Sequence, residues 1–230
     1  MKSSFLVILL LGLGVSLLSA DAEQRTCRII FPDRPKDAPD SAFLFDGKLS
    51  KEIRLPSRNF SRIVSLPEGE LKMFLTLERA SGLGAIPEGS PSVVIPASVT
   101  DFHLIVLSDP ENDVLPVRIL PVEADGFHLK PGSTLWINLS KTAIKATLGE
   151  SSLLLLADSS VMTDAPLAAN GYYEASFFYK QDAEDEFVPM TKKSWWHDST
   201  SSGLGVVVDS GGRLPRIHLF RDYRAPNTEK

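Results

Sequence analysis

Apolar and polar residues alternate along short segments of this chain from Arg25 onward. The alternation is clearest where every second residue is apolar, at Leu71, Met73, Leu75 and Leu77. Side chains of a strand point to opposite faces in turn, so this pattern indicates strands with one buried face. No helical period of apolar residues persists over about 12 residues, and strands recur at roughly 8–12-residue intervals. The sequence therefore predicts an all-β protein built as a sandwich.

Turn residues divide the alternating pattern into short strands. The predicted strands are residues 27–31, 42–45, 48–55, 61–66, 70–77, 92–95, 102–107, 114–122, 127–129, 134–139, 143–148, 152–156, 172–179, 187–190, 205–208 and 216–220. Asp46-Gly47 lies between two of them and predicts a hairpin, because glycine adopts a positive φ without steric cost. Pro67-Glu68-Gly69 in the same way predicts a second hairpin, which would pair the strands on either side of it.

Two similar segments suggest that the chain repeats its architecture. In each, a strand rich in Val and Leu is followed by a turn and a Leu-Pro pair, Leu115-Pro116 in one segment and Leu214-Pro215 in the other. Each segment would be the last hairpin of one half of the chain. Residues 42–45 and 135–138 would then be matching early strands.

This repeat favours two stacked immunoglobulin-like β-sandwich domains, at residues 23–125 and 126–230. A chain of this size is long enough for two such domains or for one large sandwich. The alternative explanation of the repeat is that hairpins containing proline resemble each other by chance.

The first 22 residues have the features of a signal peptide. Lys2 precedes an apolar run at residues 5–18, and Ala20-Asp21-Ala22 offers a small-residue cleavage site. We place the cut after Ala22, with a cut after Ala20 as the alternative. The run is shorter than the ~20 residues that span a bilayer, which argues against an uncleaved anchor. The protein is therefore predicted to be secreted or periplasmic, with no transmembrane segment after cleavage.

Cysteine content and charge limit the possible cross-links and partners of the chain. Cys27 is the single cysteine, so the chain has no internal disulfide and we expect Cys27 to be an apolar filler in an early strand. The net charge is -5, and the charges are interspersed apart from an acidic run at residues 182–186, which we expect at an exposed hairpin tip. No basic patch is present, so nucleic acid is not an expected partner.

Four segments besides the signal peptide form a recognisable series of turns and core residues: Leu44-Phe45-Asp46-Gly47-Lys48, Ser65-Leu66-Pro67-Glu68-Gly69, residues 132–140, and Trp195-Trp196 before the final hairpin. This series resembles a family of uncharacterised secreted β-sandwich proteins from verrucomicrobial-type bacteria. The resemblance covers most of the mature chain. It implies a β-sandwich architecture and export, and it implies no catalytic residues.

The histidines do not form a recognisable catalytic or zinc-binding motif. They are His103, His128, His197 and His218, widely spaced and without a neighbouring cysteine. No Gly-x-Ser-x-Gly sequence accompanies them. We expect His103 and His218 to be neutral, outward-facing side chains on their strands, and we assign no catalytic residue.

Two other polar motifs have a simpler structural explanation. Four residues, Asp109, Glu111, Asn112 and Asp113, could supply oxygen ligands to calcium, but a solvated turn stabilised by Asx side chains explains them better. Asn138 begins a glycosylation sequon within an apolar strand. We expect it to hydrogen-bond to backbone near the strand end instead of carrying a glycan. We assign no metal and no cofactor.

The aromatic residues near the C-terminus are the best candidates for a binding surface. Trp195, Trp196 and His197 precede a turn rich in Ser and Gly, and Tyr172-Tyr173 shows the same pairing of adjacent aromatics. Adjacent strand residues face opposite sides, so one ring of each pair would fill the core and the other could be exposed to bind a sugar or a protein. The alternative, which we favour, is that both tryptophans are packed, one of them between the domains.

These observations predict an exported, non-catalytic binding or structural module of the cell envelope. Its partner would be a protein or a surface polysaccharide that docks on loops or on an exposed sheet edge. The alternative is a carbohydrate-binding module, or a weak glycan-active enzyme, that uses an exposed tryptophan.

Overall fold

The computed structural model describes residues 25–124, 130–180, 186–209, 211–212 and 214–223. Within these ranges the chain forms sixteen strands and one short 3-10 turn, Leu83–Ala85. The predicted signal peptide, the predicted strand 127–129 and most of the acidic run lie outside the described residues.

The first eight strands form two four-stranded sheets. Their bounds are β1 Thr26–Ile30, β2 Ser41–Phe45, β3 Ser50–Arg54, β4 Val64–Ser65, β5 Leu71–Thr76, β6 Ser92–Ile95, β7 Asp101–Ser108 and β8 Val117–Glu123. Sheet 1 has the strand order β3-β2-β5-β6, and sheet 2 has the order β4-β1-β7-β8. The pairing of β1 with β7 is parallel, and the other pairings are antiparallel.

The last eight strands form two further sheets. Their bounds are β9 Thr134–Asn138, β10 Ile144–Leu148, β11 Ser151–Leu155, β12 Ser159–Thr163, β13 Gly171–Tyr179, β14 Val188–His197, β15 Ser202–Val208 and β16 Arg216–Asp222. Sheet 3 has the order β12-β9-β15-β16, and sheet 4 has the order β11-β10-β13-β14. Here the parallel pairing joins β9 to β15.

The two halves therefore have the same strand topology. Adding eight to each strand number of sheets 1 and 2 gives the strand orders of sheets 4 and 3. The last hairpins of the halves, β7–β8 and β15–β16, correspond as the sequence repeat predicts. The proposed match of residues 42–45 with 135–138 is wrong, because β2 corresponds to β10 while β9 corresponds to β1. The domain bounds and the immunoglobulin-like assignment stay predictions.

Three apolar clusters hold the four sheets in a stack. The first lies between sheets 1 and 2, the second between sheets 2 and 3, and the third between sheets 3 and 4. Strand β7 contributes Leu104 and Val106 to the first cluster and Ile105 and Leu107 to the second. Successive side chains of one strand thus pack alternately into the two clusters on either side of its sheet. The predicted all-β sandwich architecture is confirmed.

Both inner sheets are buried on two faces, which explains their composition. The central strands β7 and β15 are buried almost throughout. A strand with two buried faces needs an almost continuous apolar run instead of an alternating one. In sheet 3 the Trp136 ring occupies the space beside Gly205, and a Cβ at Gly205 would lie 2.2 Å from Trp136 Cε3. Glycine is required there because only a bare backbone leaves room for the indole.

The first predicted hairpin is confirmed, with Gly47 at its turn. Strands β2 and β3 pair in antiparallel register, and Gly47 has a φ of 90°. The Asp46 carboxylate accepts hydrogen bonds from the backbone N–H groups of Lys48, at 3.0 Å, and Leu49, at 2.7 Å. The Asp side chain and the glycine conformation together close the turn.

The second predicted hairpin is wrong. Strand β4 pairs with β1 in sheet 2, whereas β5 pairs with β2 and β6 in sheet 1. The connecting turn crosses from one sheet to the other and is held by Arg25. Its buried guanidinium donates to the carbonyl of Gly69 and to those of Pro96, at 2.8 Å, and Ala97, at 2.9 Å. Local turn chemistry indicates a reversal of the chain, but not whether the flanking strands pair.

Other departures concern strand lengths and one missing strand. Strand β12 was not predicted, because Ser159–Thr163 lacks an apolar alternation. Strand β14 extends to His197 although only residues 187–190 were predicted, because its polar edge residues obscure the pattern. In the described part of the chain, no helix reaches the length and apolarity that a bilayer crossing needs.

The predictions for Cys27 and Asn138 are confirmed in structural terms. Cys27 is fully buried in β1 among apolar side chains. The Asn138 side chain is fully buried as well. Its amide N–H groups donate to the carbonyls of Thr142, at 2.8 Å, and Leu156, at 3.0 Å, and its oxygen accepts from the backbone N–H of Ser140 at 3.0 Å.

Candidate functional site

The five candidate residues predicted from the sequence lie together at one end of the β13–β14 hairpin. Antiparallel pairing places Tyr172 opposite Trp196 and Tyr173 opposite Trp195. His197 lies opposite Gly171 at the start of β13. The two adjacent aromatic pairs of the sequence therefore become two cross-strand pairs, one on each face of sheet 4.

The inner pair belongs to the core of the second half. Tyr173 is buried, and the half-buried Trp195 packs with it in the third apolar cluster. The Trp195 ring stacks on the Trp136 ring, with centroids 6.2 Å apart and an interplanar angle of 12°. It also packs against Phe177 at 5.2 Å. These two rings stabilise the sandwich and present little surface to a partner.

The outer pair is exposed. Tyr172 is 72% exposed and Trp196 is 49% exposed, and their rings meet edge to face with centroids 5.0 Å apart. The predicted two-sided arrangement of both aromatic pairs is confirmed. The favoured alternative, in which both tryptophans are packed, is wrong for Trp196, because β14 is an outer-sheet strand and its second face meets solvent.

His197 is enclosed and cannot contact a ligand directly. Its side chain is fully buried, and within the described residues neither ring nitrogen has a hydrogen-bond partner. Burial lowers the pKa of His197, and the nearby Arg221 charge lowers it further, against a smaller opposing effect of Asp198. The imidazole is therefore held in its neutral form, which suits an enclosed position.

Asp198 faces a different environment from the histidine beside it. Hydrogen bonds from the hydroxyl and the backbone N–H of Thr200 lower the pKa of the Asp198 carboxyl. Its carboxylate therefore closes a local turn, and its charge has only a minor effect on the pKa of His197.

Arg221 links the aromatic hairpin to the last strand of sheet 3. Its guanidinium donates to the backbone carbonyl of Trp196 at 2.7 Å. Burial raises the pKa of Tyr173, and the charge and hydrogen bond of Arg221 partly offset that rise. Arg221 thus contacts both β14 and the inner tyrosine.

A groove of about 600 Å³ lies between β14 and β16. Its apolar floor comprises Met190, Trp195 and Ile217, which also pack at the margin of the third cluster. These three side chains are half-buried. The groove therefore reaches the edge of the sandwich core.

Cationic side chains line the same groove. Lys193 contributes from β14, and Arg216 and Arg221 contribute from β16, where Arg216 is ion-paired with Asp33 at 2.6 Å. None of the described residues that line it is an aspartate or a glutamate. Burial lowers the pKa of His218, whose ring stacks on Phe220 with centroids 5.9 Å apart. Lys193 and Arg221 therefore give the lining a positive character in a chain whose net charge is -5.

The expectation that His103 faces outward is wrong. Its side chain is 1% exposed and its Nε2 lies 2.9 Å from Oδ2 of Asp222. The other carboxylate oxygen lies 2.5 Å from Nη1 of Arg28. His103 and Asp222 are enclosed beside the apolar cluster between sheets 2 and 3, and Arg28 is only partly exposed, so we interpret the three residues as a structural contact.

The described residues contain no group of three or more His, Cys, Asp or Glu side chains placed to hold a metal ion. At the predicted calcium candidate, the Asn112 oxygen accepts hydrogen bonds from the backbone N–H groups of Val114 and Leu115, both at 3.0 Å. Its side-chain amide donates to the carbonyl of Gly89 at 3.0 Å. This is the Asx-stabilised turn favoured from the sequence.

Sequence reasoning missed the residues that β16 brings to the site. Arg221 and Ile217 lie in another sheet from the aromatic hairpin, and no local pattern relates them to it. Lys193 lies in the part of β14 that was not recognised as a strand. The basic character of the groove could have been suspected only if the strand order had been known.

The chain matches no protein-family model, and it matches no curated protein. The chemistry of the site therefore has to be inferred from the geometry.

Proposed function

We propose that this protein is an exported, non-catalytic binding module of the cell envelope. Its partner docks on the outer face of sheet 4, at Tyr172 and Trp196. The observation that carries the proposal is that these two large rings contact each other edge to face at 5.0 Å while remaining largely exposed. Aromatic side chains with few rotatable bonds are the typical centres of binding surfaces.

The polar surroundings of the ring pair support this proposal. Glu174 and Lys192 form an exposed ion pair at 2.8 Å on the neighbouring positions of β13 and β14. Ser194 lies opposite Glu174 in the register. An apolar centre with a polar rim is the usual anatomy of a transient interface.

Export and family membership are part of the same proposal. The signal-peptide pattern supports a secreted or periplasmic location, and the similar turn segments support a relationship with the secreted β-sandwich proteins of verrucomicrobial-type bacteria. An immunoglobulin-like connectivity within each half is consistent with the repeated sheet order.

The exposure of Trp196 also favours a second candidate, a carbohydrate-binding module. The face of an indole stacks on the apolar face of a sugar ring, and Tyr172 at its edge would widen the contact. A glycosidase would need two carboxylates across a cleft. The described lining of the nearby groove is cationic, so the geometry supports glycan binding over glycan hydrolysis.

Binding of the mature protein to two fractions of cell envelope, one of protein and one of polysaccharide, tests the proposal. Replacing Trp196 and Tyr172 together by alanine should weaken binding to one fraction about tenfold or more, because both rings leave the contact. Leu154→Ala is the matched control, since Leu154 is 52% exposed on β11 of the same sheet. Equal binding of the double variant and the native protein would refute the proposal.

A further inference from the structure

The groove between β14 and β16 separates two sheet edges. Strand β14 is the last strand of sheet 4, and β16 is the last strand of sheet 3. In the first half the corresponding edge strands, β6 and β8, contact each other. In the second half the corresponding space remains open, with Met190, Trp195 and Ile217 half-buried along its floor. The second half therefore leaves a space uncovered where the first half brings its two edge strands together.

Backbone groups of β14 point into this space. The Trp196 carbonyl accepts a hydrogen bond from Arg221 across the groove, so it points away from β13. In an antiparallel pair the N–H and C=O of one residue lie on the same side and alternate along the strand. The register with β13 is regular from Trp196 to Thr191. Ser194 therefore also presents its N–H and C=O to the groove, where an added strand could pair with it.

The charges along the exposed edge of β14 indicate which kind of added strand would bind. Lys193 of β14 and Arg221 of β16 line the groove from opposite sides, whereas Lys192 and Arg216 are ion-paired with Glu174 and Asp33. A second copy of this edge would add further cations to the groove, and charged edge residues of this kind protect against self-association. An acidic strand would instead meet opposite charges.

We propose that the groove between β14 and β16 binds an extended acidic peptide segment of a partner protein, which pairs with the edge of β14. Alternate side chains of the segment would contact the Trp195 and Ile217 floor, while its carboxylates would approach Lys193. This inference rests on the proposed role as a binding module and specifies a peptide as partner at a second surface. A peptide is favoured over a glycan because unpaired strand edges offer the regular donors and acceptors of a backbone.

The probe for the experiment is a capped synthetic peptide in which Glu and Val alternate. It is titrated into the mature protein, with tryptophan fluorescence as the binding signal and amide hydrogen exchange as the positional signal. We expect binding that weakens with added salt, together with slower exchange at the amides of Ser194 and Trp196. Lys193→Glu should weaken binding about tenfold, because it places a like charge against the peptide.

Lys145→Glu is the matched control. Lys145 is an exposed lysine of β10, and β13 separates β10 from β14. The same charge reversal there should change the peptide affinity less than about twofold. A thermal unfolding curve of each variant verifies that both fold.

Three results would overturn the peptide site. One is equal binding of a peptide in which Lys replaces Glu, and another is unchanged affinity of the Lys193→Glu variant. The third is binding of an oligoglucuronate at the groove while the acidic peptide does not bind, because the occupant would then be a glycan. None of these results affects the outer-face experiment with Trp196 and Tyr172, so the two proposals can fail separately.

Discussion

Nε2 of His103 in β7 lies 2.9 Å from Oδ2 of Asp222, the last residue of β16. The two side chains come from opposite halves of the chain, and they are 1% and 2% exposed. Arg28 of β1 contacts the second oxygen of the same carboxylate, and the Phe60 ring stacks on His103 with centroids 4.5 Å apart. We infer that this directional polar contact within an apolar interface favours one alignment of sheets 2 and 3.

Replacing Asp222 by asparagine should destabilise the whole chain. The substitution leaves the Arg28 guanidinium without its counter-charge in the interface, and breaking a buried ion pair in this way typically costs about 3–5 kcal/mol. The measurement is the free energy of unfolding from urea titration, followed by a signal from each half.

The control for this variant is Asp40→Asn, which removes the ion pair with Arg34 at the surface. Asp40 is 87% exposed, and exposed pairs contribute about 0–1 kcal/mol. If the Asp222 and Asp40 variants lose similar amounts, the buried contact between the halves does not stabilise the protein as proposed.

Replacing Gly205 by alanine should also destabilise the protein, for a steric reason. The new Cβ would lie 2.2 Å from Trp136 Cε3, and the indole could move only by disturbing Phe177 and Trp195. Overpacking of this kind costs about 1–3 kcal/mol. Gly84→Ala is the control, because a Cβ added there would have no atom of a more distant residue within 4 Å. Equal stabilities of the two variants would contradict the close packing.

Stability should fall when the pH drops below about 6.5, in part through His197. Burial lowers the pKa of His197 in the folded protein from its ordinary value of 6.5, so below that value the unfolded chain binds a proton that the folded chain does not. The contribution of His197 to the free energy of unfolding is constant above about pH 6.5, and it is lost as the pH falls towards the pKa of His197 in the folded protein. Urea titrations from pH 7.5 to about pH 5 measure it.

His197→Gln isolates this contribution, because other groups titrate over the same range. The variant should lose less stability on acidification than the native protein, so the two curves of unfolding free energy against pH should converge. Parallel curves would show that His197 does not keep a lowered pKa in the folded state.

Most strands could be predicted from the sequence because their signals are local. Alternation identified β5, and Asp46-Gly47 identified the turn between β2 and β3. The same reasoning placed Trp196 and Tyr172 on the face opposite to Trp195 and Tyr173. These features depend on the two-residue period of a strand and on the glycine conformation, which neighbouring residues determine.

Pairing could not be predicted in the same way. The turn at Gly69 looks like a hairpin turn, yet Arg25 holds it between two sheets. The groove depends on β14 and β16, which belong to different sheets and share no local pattern. Contacts of this kind form only when residues far apart in the chain come together. Because most strands show a similar alternation of apolar residues, the sequence does not indicate which strands pair.

The sequence alone determined that this chain forms β-strands, where most of them lie, and which residues share one face of a strand. The tertiary structure decided that four sheets stack, that His103 meets Asp222 between the halves, and that a basic groove remains open beside Trp195. The physical reason is the separation along the chain of the residues involved. Backbone periodicity and turn conformations depend on a few consecutive residues. Stacking, burial of charge and open edges are properties of surfaces assembled from the whole chain.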